Sequence, residues 1–246
     1  GIIKSGSKVA TAAYPPEVRA VIAAKAEAEG AELFVQDLHW RAVLQDEGFM
    51  WSAEGQIFGP LNPALIGPHQ QQNAALAVAM LYLADPKAFD AAAAAKGLAA
   101  TIWPGRVQRL TSGPLCDILP AERAIWLDGG HNLDAAQQLA KSLSANISVG
   151  QQVDLVVGML SNKDASGFLT SVAPHVRRLI AVPIDGHEHF SADDLIAMGK
   201  AAGIAEGHAA PDLPAALHIA AQSGSDAPVL IAGSLYLAGL ALDANR

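Results

Sequence analysis

Residues 126–139 read WLDGGHNLDAAQQL, and this stretch decides the fold. With the apolar residues before it, the stretch starts as a short strand that ends at Asp128, turns through a pair of glycines and opens a helix. A strand, a tight polar turn and a helix make half of a βαβ unit, and open α/β sheets bind ligands at the carboxyl ends of such strands. Asp128 is therefore a candidate ligand-binding residue. The alternative is a plain helix start at residues 132–134 whose side chains only cap the helix.

The rest of the second half alternates regularly between strand and helix patterns. Predicted strands cover residues 107–110, 125–128, 153–158, 179–183 and 229–233, and predicted helices cover residues 133–144, 165–173, 192–202 and 214–222. Several of these strands are continuous apolar runs, which is typical of parallel sheets covered by helices on both faces. We therefore predict an α/β fold with a Rossmann-like, mostly parallel sheet over residues 103–246.

The first half, residues 1–102, is a less complete α/β region. Predicted strands cover residues 9–11, 33–35 and 49–51, and predicted helices cover residues 17–29, 70–84 and 88–96. Glycines and prolines punctuate residues 55–67, which favours a loop there. The Pro-Gly pair at 104–105 suggests a turn or hinge, so we place the boundary between two domains at residues 102 and 103.

Composition excludes several classes of protein. The chain has 246 residues, of which 51% are hydrophobic and 16% charged, with a net charge of −8. This describes a globular protein without the basic field that nucleic-acid binding requires. No stretch reaches the roughly 20 consecutive apolar residues of a membrane span. The single cysteine, Cys116, excludes an internal disulfide framework and fits a reducing cytoplasm, where we expect the protein to work.

Three further positions are candidates for ligand binding. Residues 67–73 read GPHQQQN, and His69 and Asn73 share one face of the helix that begins there. A helix start attracts anions and polar ligands, although ordinary capping explains the same residues. Arg106 follows a rigid turn and could clamp a phosphate or carboxylate, or be an ordinary surface arginine. Ser234 ends a strand and is either a turn residue or a ligand contact.

His187 and His189 invite a metal interpretation, with Asp185 nearby. Both histidines could bind a metal ion from a loop. However, Ser191 and the acidic residues after it are typical of a capped helix start, which favours a loop followed by a cap. The sequence contains neither a phosphate-binding P-loop nor a nucleophile elbow.

Several motifs together resemble one known family. Residues 67–75 are similar to the motif G-x-H-Q-x-x-N-A, residues 103–106 to W-P-G-R, and residues 128–132 to D-G-A-H-N. Residues 158–164 and 231–236 look like two further family blocks. In order and spacing they resemble folylpolyglutamate synthase and bifunctional dihydrofolate synthase, members of the Mur ligase superfamily. The resemblance implies that residues 1–102 are the end of the central ATPase domain and that residues 103–246 are the C-terminal domain.

The resemblance also implies an activity. Enzymes of this kind use ATP and Mg²⁺ to join L-glutamate to dihydropteroate or tetrahydrofolate through an acyl phosphate. The matching positions that contact ATP are Asn73, Arg106, Asp128 and His131, and those expected near substrate are His69 and Ser234. Asp128 is expected to hold the ribose hydroxyls and Arg106 to clamp the phosphates.

The sequence departs from the family pattern in three ways. The interval between Arg106 and Asp128 is longer than usual, with residues 111–123 expected as an extended hairpin or loop, and Pro68 stands where a basic or small residue is common. The family's P-loop, its Mg²⁺ ligands and its modified lysine precede the matching region, and residues 1–4 resemble the end of the block that carries this lysine. We therefore expect a C-terminal part without catalytic residues or metal ligands of its own, inactive alone and monomeric in the intact enzyme.

Three other functions stay open at this point. The first is a stand-alone nucleotide-binding or interaction module without chemistry. The second is a Mur-type ligase of cell-wall synthesis, although the H-Q-x-x-N and W-P-G-R forms favour the folate branch. The third is a metal hydrolase that would use Asp128, His131, His187 and His189.

Overall fold

The computed structural model describes residues 1–146 and 151–246 of the chain. Contacts divide it into two compact units, residues 1–102 and residues 103–246. Among the described residues, no helix combines the length and the apolar character needed to cross a membrane.

The first unit combines two small sheets with three helices. Its elements are β1 (Lys8–Thr11), α1 (Pro16–Ala28), β2 (Glu32–Val35), β3 (Trp40–Leu44), β4 (Phe49–Ala53), β5 (Gln56–Leu61), α2 (Pro68–Ala84) and α3 (Ala91–Ala99). Strands β1 and β2 pair in parallel, and β3, β4 and β5 form an antiparallel sheet in that order.

The prediction of a loop over residues 55–67 is wrong for residues 56–61, which form the edge strand β5, and correct for residues 62–67. Glu54 and Gly55 both have positive φ, 50° and 78°, and Ala53 pairs with Gln56 across them. Two residues with positive φ make the tight turn that joins antiparallel strands. Pro60 is tolerated because β5 lies at the edge of the sheet.

An aromatic cluster forms the core of the first unit and anchors α2. Trp51 is 0% exposed, and its ring centroid lies 5.1 Å from that of Tyr82 on α2. The Tyr82 hydroxyl donates a hydrogen bond to Glu54 at 3.0 Å, and burial, reinforced by Glu54, raises the pKa of this tyrosine. The buried face of α2 thereby fixes the start of the helix, where the candidate residues His69 and Asn73 lie.

The second unit is a six-stranded sheet with helices on both faces. Its elements are β6 (Gln108–Leu110), β7 (Ile125–Leu127), α4 (Leu133–Asn146), β8 (Val153–Val157), α5 (Ala165–Val172), β9 (Val176–Ala181), α6 (Ala192–Ala201), β10 (Glu206–Ala209), α7 (Leu213–Ala221), β11 (Val229–Ala232) and α8 (Leu235–Ala244). The strand order is β10-β9-β8-β11-β7-β6, and every neighbouring pair is parallel except β6 and β7. The predicted α/β fold with a mostly parallel, Rossmann-like sheet is confirmed.

The order of the strands locates a crevice. From β7 the chain steps in one direction along the sheet through β8, β9 and β10, and then returns through α7 to place β11 between β8 and β7. Helix α5 contacts α4 and α6, whereas α7 and α8 share a core with the buried residues of β11. Ligands of open α/β sheets bind where the strand order reverses, at the carboxyl ends of the strands. Here those are the ends of β7, β11 and β8.

Residues 111–124 link β6 to β7 as the predicted long hairpin connection. The link contains a short 3₁₀ turn, Cys116–Ile118, and the Asn245 side chain holds it by accepting from Leu115 N at 3.0 Å and donating to Ser112 O at 2.7 Å. Burial raises the pKa of the Cys116 thiol, and the nearby Asp117 carboxylate adds to the shift. Cys116 is therefore a packing residue and a poor nucleophile.

A buried ionic cluster lies at the opposite, amino ends of the strands. Asp154 on β8 is 0% exposed and accepts hydrogen bonds from Arg123 at 2.5 Å and from Arg177 at 2.8 and 3.0 Å. Arg123 also donates to two backbone carbonyls, those of Ala220 and Ala227. The cluster therefore ties β8 and β9 to the segments that lead into β7 and β11.

Candidate functional site

Asp128 lies in the turn after β7 and organises that turn through its carboxylate. The side chain is 6% exposed. Its Oδ1 accepts a hydrogen bond from Gly130 N at 2.7 Å, and its Oδ2 accepts one from Val107 N at 2.9 Å. Its own backbone N–H donates to Ile231 O on β11 at 2.9 Å. Asp128 therefore connects the turn after β7 both to the segment before β6 and to the neighbouring strand.

The cap of α4 is a different residue, Asn132. Its Oδ1 accepts a hydrogen bond from Ala135 N at 2.8 Å. The capping interpretation of this stretch is thus correct for Asn132 and does not describe Asp128. His131, between them, contacts Gly129 O through Nδ1 at 3.0 Å. A carbonyl oxygen only accepts, so Nδ1 carries the proton and Nε2 is free to accept in the neutral ring.

Arg106 is held on both sides by the turn after β7. The preceding residue, Gly105, has φ of 70° and accepts from Gly129 N at 2.8 Å through its carbonyl oxygen. The following residue, Val107, has φ of 45° and donates to Asp128. The half-buried Arg106 side chain makes no ion pair or hydrogen bond with any residue that the structure describes. It is a guanidinium available for an anionic ligand.

Ser234 follows β11 and caps α8. Its hydroxyl accepts a hydrogen bond from Tyr236 N at 3.1 Å, and the residue is 3% exposed. Gly233 before it has φ of 109°, and an added Cβ would lie 2.9 Å from Gly158 O in the turn after β8. Glycine is needed there because the two turns approach so closely. Ser234 is a turn and capping residue in this structure, and its expected substrate contact stays a prediction.

A second glycine brings the turn after β7 against α8. A Cβ on Gly129 would lie 2.4 Å from Cδ2 of Leu235, in the first turn of that helix. The turns after β7, β11 and β8 therefore meet where the strand order reverses. Of the residues predicted from sequence, Arg106, Asp128, His131 and Ser234 lie in this second unit.

His69 and Asn73 lie at the start of α2 in the first unit and share one partner. Gln70 is 7% exposed; its Nε2 lies 3.0 Å from His69 Nε2, and its Oε1 accepts from Asn73 Nδ2 at 3.4 Å. The cap residue of α2, Gly67, has no side chain with which to cap it. Capping therefore does not account for these polar residues. Gln70, which the motif contains, was not singled out from the sequence as the partner of these two residues.

His187 and His189 belong to a loop after β9 that is tied to its surroundings. The His187 ring lies 3.8 Å from the ring of Tyr236 by centroids, and His189 Nδ1 lies 2.7 Å from His187 O. Ser191 caps α6 by accepting from Asp194 N at 3.1 Å, as predicted. Within residues 1–146 and 151–246, no group of three or more His, Cys, Asp or Glu side chains could hold a metal ion. The metal-hydrolase alternative therefore lacks a ligand set in the described structure.

Comparisons with known proteins agree with the motifs. A folylpolyglutamate synthase of Lacticaseibacillus casei is 29% identical over 97% of this chain and 54% of its own length. A structure of bifunctional folylpolyglutamate synthase/dihydrofolate synthase from Yersinia pestis, complexed with AMPPNP and Mn, matches with a TM-score of 0.79 at 25% identity, over 99% of this chain and 54% of that one. Another structure of the bifunctional enzyme, with Mn, AMPPNP and L-glutamate bound, matches with a TM-score of 0.79 at 26% identity and the same coverage.

This chain therefore spans about half the length of the curated relatives it matches. The resemblance to folylpolyglutamate and dihydrofolate synthases, first seen in the sequence motifs, is confirmed. The family model "Mur ligase, glutamate ligase domain" matches residues 105–235, more than half of the chain, and the chain belongs to this Mur ligase family.

Proposed function

We propose that this chain is the nucleotide-binding part of an ATP-dependent ligase that adds L-glutamate to dihydropteroate, tetrahydrofolate or their polyglutamates. The observation that carries the proposal is the position of Arg106. An arginine without a partner among the described residues is held between two backbone hydrogen bonds to the turn after β7, beside the crevice of the sheet. A guanidinium carried by a backbone that is held at such a crevice suits a bidentate phosphate contact.

The other side chains have complementary roles in this proposal. Asp128 accepts a backbone N–H at each oxygen, and in this proposal its carboxylate also holds the ribose hydroxyls. His131 offers Nε2 beside it, and Ser234 lies in the turn after β11. Asn73, with its partner Gln70, would contact ATP, and His69 would lie near the substrate.

The chemistry comes in two displacements. A substrate carboxylate oxygen attacks the γ-phosphorus of ATP and ADP leaves, which forms an acyl phosphate. The amine of glutamate then attacks the acyl carbon, phosphate leaves, and the nitrogen loses a proton to give the amide. Arg106 would stabilise negative charge on the transferring phosphoryl group. The similar structures that contain AMPPNP and Mn support a divalent metal ion as cofactor of this reaction, and the proposal takes it to be Mg²⁺.

Nucleotide binding by the chain itself is the first test. Mg·ATP is titrated into ¹⁵N-labelled protein, and we expect saturable shifts in the amide signals of residues 105–107, 128–131 and 233–235. Absence of saturable binding, or shifts confined to residues 1–102, would refute the proposed nucleotide site.

Kinetics of the intact ligase test the roles and the substrate. Asp128→Ala is expected to raise the KM for ATP more than the KM for glutamate, and Arg106→Ala is expected mainly to lower kcat. A panel of dihydropteroate, tetrahydrofolate and UDP-muramyl peptides separates the folate activity from cell-wall ligation. Turnover with the muramyl peptides alone would reject the folate assignment. The proposed setting is the cytoplasm, which the single cysteine supports, and the proposed oligomeric state is a monomer.

A further inference from the structure

Val107 has an unusual backbone conformation next to the proposed phosphate clamp. Its φ is 45°, in the left-handed region that β-branched residues rarely adopt, and the residue is 4% exposed. Such conformations persist only where the surroundings hold them, and they concentrate at functional sites. The question is therefore what holds Val107 and what its conformation achieves.

The Asp128 carboxylate holds it. Val107 N donates to Asp128 Oδ2 at 2.9 Å, and the contact is buried. On the other side of Arg106, Gly105 O accepts from Gly129 N at 2.8 Å. Arg106 thus lies between two residues with positive φ, each bonded to the same turn. Its backbone has little freedom to move independently of Asp128.

We propose that Asp128 is a positioning residue for Arg106, acting through the backbone N–H of Val107. This inference rests on the proposed nucleotide site and adds to it that one carboxylate serves both the sugar and the phosphates. Binding of the ribose by Asp128 and contact of Arg106 with the phosphates are then coupled, because the same side chain fixes both.

The chemistry of the carboxylate explains why asparagine cannot replace it. Asp128 accepts one N–H at each of its two oxygens, from Gly130 and from Val107. An asparagine side chain has one oxygen, so its NH₂ group would face one of these donors. Asp128→Asn therefore breaks one of these two hydrogen bonds, even though the new side chain has nearly the same shape.

The test compares ATP with AMP, which share the ribose and differ in the outer phosphates. Titration calorimetry on the chain gives the ratio of the two affinities. Arg106→Ala is expected to lower the preference for ATP about 10- to 100-fold, the range for loss of hydrogen bonds to a charged group. Asp128→Asn is expected to lower the preference similarly, and the double variant no further than either single variant. Asp134→Asn removes the same charge from the exposed first turn of α4 and should leave the preference unchanged.

Amide hydrogen exchange provides a second readout that needs no ligand. In Asp128→Asn the exchange of Val107 N–H or Gly130 N–H should accelerate at least about tenfold, the equivalent of one lost hydrogen bond. If Val107 N–H exchanges faster in the variant and the full preference for ATP is kept, Asp128 acts on the sugar alone and the positioning role is wrong. If Asp128→Asn does not fold, or releases only Gly130, Asp128→Ala decides, because it removes both acceptors without placing an NH₂ group against a backbone donor. A full preference for ATP in Asp128→Ala would also overturn the proposal.

The two proposals fail in different ways. Absence of ATP binding by the unmodified chain refutes the nucleotide site. Unchanged exchange at both Val107 and Gly130 in Asp128→Asn refutes the positioning role, whether or not ATP binds.

Discussion

Neutralising Asp154 tests the buried ionic cluster of the second unit. The substitution Asp154→Asn keeps the size of the side chain and removes its charge. Arg123, whose side chain is 1% exposed, would then have no buried counter-charge, while Arg177, at 31%, still reaches water. The variant therefore isolates the cost of leaving one buried guanidinium unpaired.

The size of the effect follows from this burial. Breaking a buried ion pair by removing one partner costs about 3–5 kcal/mol, because the remaining charge is neither solvated nor paired. Arg123 keeps its two bonds to backbone carbonyls, which puts the expected loss toward the lower end of that range. A loss of that size lowers the Tm by about 10 °C in a domain of this length.

Urea unfolding followed by circular dichroism measures the free energy, and hydrogen exchange at the amides of β8 assigns the change to the second unit. Asp243→Asn is the matched control, since its pair with Arg246 is 69% exposed on the aspartate side and 81% on the arginine side. Exposed pairs contribute about 0–1 kcal/mol. A loss in Asp154→Asn no larger than that of the control would show that the buried cluster is not formed as described.

Three further predictions concern pH and packing. A hydrogen bond with His208 lowers the pKa of Glu206, so its stabilisation is present at neutral pH and is lost as the pH falls through the lowered folded-state value. As the pH falls below neutral, the unfolding free energy of Glu206→Gln should therefore decline less than that of the parent protein. An equal decline in the two proteins would contradict this prediction. Gly113→Ala should destabilise by about 1–3 kcal/mol, because φ is 110° and the new Cβ would lie 2.4 Å from Asn245 O. Gly239→Ala, in α8 with no atom within 4 Å of its Cβ, should stabilise by up to about 1 kcal/mol, and equal effects of the two alanines would contradict both predictions.

The second unit was predictable from sequence where a strand is buried on both faces of the sheet. Strand β8 is buried at every position and is apolar except at the ion-paired Asp154, so its type and place were correct. Strand β10 was missed because its sequence, EGHA, has neither the apolar run nor the branched residues of a central strand. It lies at the edge of the sheet, where neighbours on one side suffice. Helix α8 was missed because apolar residues occupy most of its length and leave no clear helical period.

The first unit was less predictable for a different reason. Strands β3, β4 and β5 form a sheet through tight turns, and the turn between β4 and β5 has glutamate and glycine at positive φ. Glutamate is an unusual residue for that conformation, so the sequence does not signal a hairpin there. Of the glycines and prolines downstream, Gly59 and Pro60 were wrongly assigned to a loop, because they lie in the edge strand β5. Pro63 and Gly67 lie in a loop, as predicted.

The candidate site shows where local sequence rules stop being informative. Residues 128–132 suggested either a cap or a ligand site, and the structure divides these roles between neighbours: Asn132 caps α4, and Asp128 bonds to Val107, a residue 21 positions earlier in the chain. Nothing in the helix-start pattern predicts that partner, because it depends on β6 pairing beside β7.

Val107 also has the backbone conformation that its side chain favours least. An unfavourable backbone conformation of this kind, held by a buried carboxylate, is expected at a functional site. The conformation of Val107 and the partner of Asp128 therefore have one explanation: the carboxylate is placed to hold Arg106.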